Sequence, residues 1–238
     1  MRKSTLSTSP IESASKSDAE SAAAPVKLGL RERGKLEKRR RIRQAARDVF
    51  LEKGYDDATT REIAERADVA IGTLFVYAKD KRDLLMMIIN DDLDQLNQTL
   101  IETAQTGTLI DQLTEFFRKR YQYWASEPRL SRPAVQETFD FLSRSAGKGP
   151  ETARFYARRG RIVELLSAII KNKQAEKKIC TEYSPEDIAS LFMTIYLTEV
   201  RRWLNDEHPQ VETGIAHLRK LMALALCGVK PAAGEADI

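Results

Sequence analysis

Residues 59–78 read TTREIAERADVAIGTLFVYA, and the fold turns on how this stretch is read. It holds two short helical segments, Thr60 to Ala67 and Ala70 to Tyr77, with only Asp68-Val69 between them. Ile63, Ala64 and Ala67 share one face of the first segment, while Val69, Leu74 and Tyr77 offer apolar groups from the turn and the second. The small side chain of Ala64 lets the two helices cross closely. A turn this tight needs one residue at positive φ, usually glycine. Asp68 stands there, and aspartate is among the few side chains that tolerate that conformation. Such a pair predicts a helix-turn-helix, whose second helix enters a DNA major groove.

Working outward, Leu36 to Lys53 carries Ile42, Ala45, Ala46, Val49 and Phe50 on one stripe and stops at Gly54. Downstream, Asp80 is a good N-cap with Asp83 at N3, opening a helix through Leu85, Ile89, Leu93, Leu96 and Leu100 that Gly107 closes. Thr108 to Asp111 resembles a capping box for a helix to Ser126, ended by Pro128. Further helices are expected from Pro133 to Ala146 and from Pro150 to about Lys173. Ser184-Pro185-Glu186-Asp187 opens another, to about Asn205, and the last runs from near Pro209 to Gly228. No stretch alternates as a strand would, so the fold class is all-α with about nine helices. The expected division is a disordered tail over 1–33, a helix-turn-helix domain over 36–96, a larger helical domain over 97–228 and a flexible tail over 229–238.

Composition narrows the function. The 238 residues are 42% hydrophobic and 31% charged, enough to bury a sizeable core. The longest apolar run, Leu221 to Cys227, is seven residues, far short of the roughly 20 that span a bilayer. No secretory signal is visible, and the two cysteines stand 47 positions apart, which fits a reducing cytoplasm. Two histidines are too few for most metal sites. No phosphate-binding glycine motif, His-Glu-x-x-His or Gly-x-Ser-x-Gly occurs, so neither catalytic residues nor a cofactor nor a metal is expected. The net charge of +4 is all in the first third: residues 1–80 hold 17 Lys and Arg against 13 acids, residues 81–238 hold 22 of each. Ten of the bases lie between Lys27 and Arg47, the footprint of a phosphate backbone. A membrane surface is the rival partner, but Lys35 to Phe50 has no Trp- or Leu-rich face for it.

Residues 36–96 resemble the DNA-binding domain of the TetR/AcrR family of bacterial transcriptional regulators. The resemblance rests on Ile42-x-x-Ala45-Ala46-x-x-x-Phe50-x-x-x-Gly54-Tyr55, Thr59-Thr60-Arg61-x-Ile63-Ala64-x-x-Ala67-x-Val69, Gly72-Thr73-Leu74-Phe75-x-Tyr77 and Lys81-x-x-Leu84-Leu85. It implies that Thr60 caps the second helix at a phosphate, that Arg61 sits at the groove edge, and that Ile71, Gly72, Thr73 and Val76 face the groove. Tyr77 and Lys81 are then phosphate ligands, and Phe75, where tyrosine is usual, takes a packing role. Arg39, Arg40, Arg41 and Arg43 are expected to face the DNA backbone or to let the tail reach a minor groove.

Beyond residue 97 the likeness is one of size and helical pattern alone. Ile188 to Val200 and Leu218 to Cys227 are apolar nearly all round, which a two-fold homodimer built on the last two long helices would cover. Such a dimer sets two recognition helices one DNA turn apart and predicts a palindromic operator in double-stranded DNA. In the family, aromatics of the middle helices often line an effector pocket. Phe117, Tyr121, Trp124, Phe139, Phe155, Phe192, Tyr196 and Glu199 are the candidates here, for a small apolar or aromatic effector; ordinary core is the alternative for the aromatics. Glu199 shares the stripe of Phe192, Ile195 and Tyr196 and needs a partner such as Arg202 or Arg158. The expected function is transcriptional repression relieved by that effector; an activator, or a regulator with no effector, fits the same residues.

Overall fold

The computed structural model describes residues 29–100, 107–137 and 149–228. Among them lie nine helices and no strand: α1 (Leu30–Lys53), α2 (Thr60–Arg66), α3 (Ile71–Tyr77), α4 (Lys81–Leu100), α5 (Leu109–Ser126), α6 (Pro128–Glu137), α7 (Pro150–Ala175), α8 (Pro185–Leu204) and α9 (Val211–Gly228). The expected tails, apart from residues 29–33, lie outside the described residues.

Local chemistry sets most of the boundaries. Gly54 ends α1 at φ 87°, a conformation that disfavours a side chain. Asp68 takes φ 53° in the turn between α2 and α3, as the tight turn requires. The Asp80 carboxylate accepts the Asp83 amide at 2.8 Å and caps α4. Thr108 and Asp111 close a reciprocal capping box on α5; bonds from Thr108 and Arg219 pull the Asp111 carboxyl down to about 2. Ser184 caps α8 with Pro185 at its first position.

Two boundaries differ from the sequence reading. The helix α1 begins at Leu30, six residues before Leu36, as an exposed extension that starts from extended Gly29. The sixth helix begins at Pro128 rather than Pro133. Both prolines suit a first turn, and Pro128 takes it; Pro133 then sits inside the helix, without an N–H for the Arg129 carbonyl. The remainder of the expected Pro133–Ala146 helix falls outside the described residues.

Helices α1 to α3 pack around Ile42, Ala46, Phe50, Ile63, Ala64 and Leu74, all buried. The helix α4 joins this head to the rest, and its pattern shows why. Asp83 to Asn90 are eight consecutive buried residues. A surface helix buries one stripe, whereas α4 is covered by α1 on one side and by α5, α6 and α7 on others. In the larger body, α8 lies against α7 and α9, and α9 also against α5. Gly214 on α9 makes room for two aromatic rings: a Cβ there would stand 2.6 Å from Tyr121 Cε1 and 2.7 Å from Trp203 Cδ1.

Candidate functional site

The helix-turn-helix presents a face without acids. On α3, Ile71, Phe75 and Val76 are 42%, 48% and 75% exposed, while Leu74 and Ala78 hold the helix to the head. Gly72 is exposed, and Thr73 and Tyr77 are half-buried. This corrects the role given to Phe75: Leu74 and Ala78 define the buried stripe, and the next position turns outward rather than into the packing. A second correction concerns the α2 cap. Thr59, not Thr60, is the N-cap, and its hydroxyl accepts the Glu62 amide while Glu62 accepts the Thr59 amide. Thr60 is the first helical residue, with its hydroxyl outside the cap.

On α2, Arg61 is exposed and makes no ion pair among the described residues, whereas Arg66 pairs with Glu52 and Glu62 with Lys53. Lys53, then Thr59, hold the Glu62 carboxyl below its usual range. Lys81 is tied within the head: Nζ donates to the Asp56 carbonyl at 2.7 Å and lies 4.8 Å from the Tyr55 ring centre.

The basic run divides in two, which overturns part of the sequence reading. Arg39 and Arg43 do not face outward as a free backbone-binding pair. Arg39 bonds Asp91 and Glu151, each at 2.7 Å; Arg43 bonds Asp92 and lies 3.3 Å from Asp91; Arg47 bonds Asp92 at 3.1 Å. These positions recur every four residues, so one face of α1 is committed to α4 and α7. Arg40 pairs with Glu37 and Arg41 with Asp68. The bases Arg31, Arg33, Lys35 and Lys38 of the run are all exposed and make no ion pair among the described residues.

Where head and body meet, two polar assemblies lock them. Asp83, fully buried on α4, accepts Thr152 N at 2.7 Å and Thr152 Oγ1 at 2.9 Å, so a carboxylate from one helix caps the N-terminus of another. Gly149 leaves room for it; a Cβ there would stand 2.3 Å from Asp83 Cγ. The second is the ion-pair network of Arg39, Arg43, Asp91, Asp94, Glu151, Arg154 and Arg158. Burial opposes ionisation of Asp91 and Asp94, but Arg39 and Arg154 beside the first and Arg158 and Arg154 beside the second outweigh it and hold both carboxyls low. Sequence reading missed both assemblies: Asp83 looked like an acid of its own helix, and its partner is 69 positions away.

Inside the body, a cavity of about 60 Å³ lies among α4 to α8, lined by Leu93, Trp124, Val135, Phe155, Ile162, Met193, Tyr196 and others. Of the pocket candidates, the structure brings Trp124, Phe155 and Tyr196 to this wall. Trp124 Nε1 donates to Tyr196 Oη at 2.8 Å, and the Phe117 ring stacks on the Tyr196 ring with centres 4.3 Å apart. Phe117, Tyr121 and Phe192 are fully buried behind it and are not among its lining residues. Glu199 is also elsewhere, held by Arg202 at 2.9 Å and His217 at 2.6 Å. Phe139 lies outside the described residues. Among the described residues no group of His, Cys, Asp and Glu forms a metal site, and no helix is long and apolar enough to cross a membrane.

The fold and this surface define a helix-turn-helix protein with a helical body attached through a shared fourth helix. Residues 42–86, within the helix-turn-helix head, match the family model described as bacterial regulatory proteins, tetR family. It is 29% identical over 110 residues to the HTH-type transcriptional repressor KstR of Mycolicibacterium smegmatis, covering 46% of this chain and 54% of that one. The fatty acid metabolism regulator protein of Bacillus subtilis is 29% identical over 91 residues, covering 38% of this chain and 47% of that one. The matched regions thus span about half the length of these two relatives. Thermus thermophilus FadR, a TetR-family repressor solved with lauroyl-CoA, superposes with a TM-score of 0.63 at 22% identity, covering 84% of this chain and all of that one. At that identity the likeness concerns the fold.

Proposed function

We propose that this protein is a DNA-binding transcriptional repressor that occupies a palindromic operator as a homodimer and is released by a small apolar or aromatic effector. The observation that carries the reading is the exposed, acid-free face of α3, with Arg61 unengaged beside it. Ile71, Phe75 and Val76 offer apolar atoms to thymine methyls, and Arg61 offers a fork that matches a guanine edge. Nothing in the helix-turn-helix requires these side chains to be exposed for stability, so an apolar surface there calls for a partner. Thr60, Gly72, Thr73 and Tyr77 complete the proposed contact surface. Lys81 fits better as the residue that positions the segment before α2, through Asp56 and Tyr55, than as a phosphate ligand. The domain division at about residue 96 is kept, with α4 as the shared element, and the protein acts in the cytoplasm at the nucleoid.

The test is selection of bound duplexes from a random library, followed by titration of the best site. Arg61→Ala is expected to weaken that site by about 1–3 kcal/mol and to relax preference at one base pair per half-site. Retention of full affinity and unchanged preference would remove Arg61 from base reading.

The homodimer reading rests on α8 and α9. Leu191 and Leu224 are exposed, and Ile195, Leu221 and Ala225 are half-buried, an apolar stripe at helical spacing on each helix. Two copies packing α8 and α9 as a four-helix bundle would cover both stripes. Leu224→Glu is expected to convert the dimer to a monomer in analytical ultracentrifugation and to lower operator affinity at least about tenfold, since one head then binds alone. A variant that remains dimeric would move the interface elsewhere.

The effector reading rests on the cavity. Its volume is well below the roughly 300 Å³ of a ligand-filled pocket, so binding requires its walls to part. That coupling is what a regulator needs, because an effector acts only through its preference for one of two arrangements. The Thermus thermophilus neighbour holds lauroyl-CoA in the same fold, which favours an apolar chain as the occupant.

A further inference from the structure

Among the described residues, the cavity lining contains three arginines, Arg120, Arg158 and Arg159, and no acid. Arg158 is the informative one. It is only 6% exposed; Nη1 bonds Asp94, and Nη2 donates to the Asn90 carbonyl at 3.0 Å and to Asn90 Oδ1 at 3.2 Å. Its Nε is buried and meets no acceptor among the described residues. A buried donor left unmade carries a penalty that a bound acceptor removes.

Arg158 also begins a polar path to the head. Asn90 Nδ2 donates to the Glu151 carbonyl at 2.8 Å and to Glu151 Oε2 at 3.0 Å, and the other Glu151 oxygen takes Arg39 Nη2 at 2.7 Å. On the parallel route Asp94 pairs with Arg154, and Arg154 lies 3.1 Å from Asp91, which holds Arg39. The residue on the cavity wall is therefore two bonded side chains away from α1.

We infer that the cavity accepts a carboxylate attached to an apolar body, and that this carboxylate takes Arg158 from Asp94 and Asn90 and so loosens α7 from α4. The inference rests on the regulator reading above for its consequence, but not for the binding itself. An anion gains the bond Nε now lacks and a charge-assisted pair in a water-poor site. A neutral thioester or alcohol gains neither, so the head group, not the chain, sets the preference.

Octanoate, octanol and octanoyl-CoA serve as probes, with the fluorescence of Trp124 on the cavity wall as the readout on the full chain. Octanoate is expected to bind at least about tenfold more tightly than octanol, the scale of one hydrogen bond to a charged group. Arg158→Gln should erase that preference and leave octanol unchanged. Asp94→Asn should act oppositely, strengthening octanoate several-fold by removing the competing carboxylate, which keeps the inference testable if Arg158→Gln folds poorly. Octanoyl-CoA, a neutral thioester, should be indifferent to Arg158→Gln, whereas equal binding of octanoate and octanol, octanoate binding that is indifferent to Arg158→Gln, or no binding of any probe would overturn the inference. A failure of the regulator reading shows separately, as an absence of selected DNA with these titrations unaffected.

Discussion

Val76→Glu is expected to abolish operator binding while leaving the fold intact. Val76 is 75% exposed on α3, so the substitution removes little buried surface and should move the melting temperature by no more than about 2 °C. In the proposed complex the same position faces the major groove, where a carboxylate meets phosphates and acceptor-rich base edges. Like charges brought together at an interface cost several kcal/mol. A loss of at least about a hundredfold, near 2.7 kcal/mol, follows. It should persist at low salt, because the obstacle is local and desolvated rather than a lost counterion-releasing contact. Fluorescence anisotropy on the selected duplex measures it. Near-normal affinity would mean that α3 does not enter the groove by this face.

Asp83→Ala carries the largest expected effect on stability. The carboxylate is fully buried and accepts Thr152 N, Thr152 Oγ1 and Lys79 N. Alanine leaves those donors without an acceptor in a place water reaches poorly, at about 1–3 kcal/mol for each buried group. A net loss near 3 kcal/mol lowers the melting temperature by roughly 6–12 °C in a chain of this size. Asp83→Asn keeps the shape and one acceptor but removes the charge that complements the α7 N-terminus, so it should fall between the two. Differential scanning calorimetry distinguishes the cases. Equal stability of all three proteins would show that the joint between head and body rests on apolar contacts alone.

What the sequence disclosed and what it hid divide along sequence separation. Caps, breakers and periodicity act within a few residues, and they placed α2 to α5 and α8 closely; Asp68 was even readable as the turn residue at positive φ. Two errors were also local and avoidable. A capping box joins a threonine to an acid three residues on, which pairs Thr59 with Glu62 and gives Thr60 only Ile63. Likewise, Leu74 and Ala78 are one turn apart on the buried side, which already sends Phe75 outward.

The fate of the basic run was of another kind. Arg39, Arg43 and Arg47 fall on one helical face, but whether that face meets phosphate or acid depends on Asp91, Asp92 and Glu151, between 45 and 112 positions away. No local rule reports such a meeting. The same holds for the cavity: an aromatic-rich body was legible, yet only the packing separates Trp124, Phe155 and Tyr196 at the wall from Phe117, Tyr121 and Phe192 in the core. Arg158 on that wall carried no signal beyond its charge.

In the proposed complex two copies of this chain read a palindrome through α3. Selection of duplexes from a random library by the purified full chain, with stoichiometry measured on the enriched site, tests it most directly. The expected result is an inverted repeat whose half-site centres lie about one helical turn, or 34–36 Å, apart, occupied by two protomers and not recovered by Val76→Glu. Recovery of no sequence above the random background at low salt, or of a site that Val76→Glu binds equally well, would contradict it.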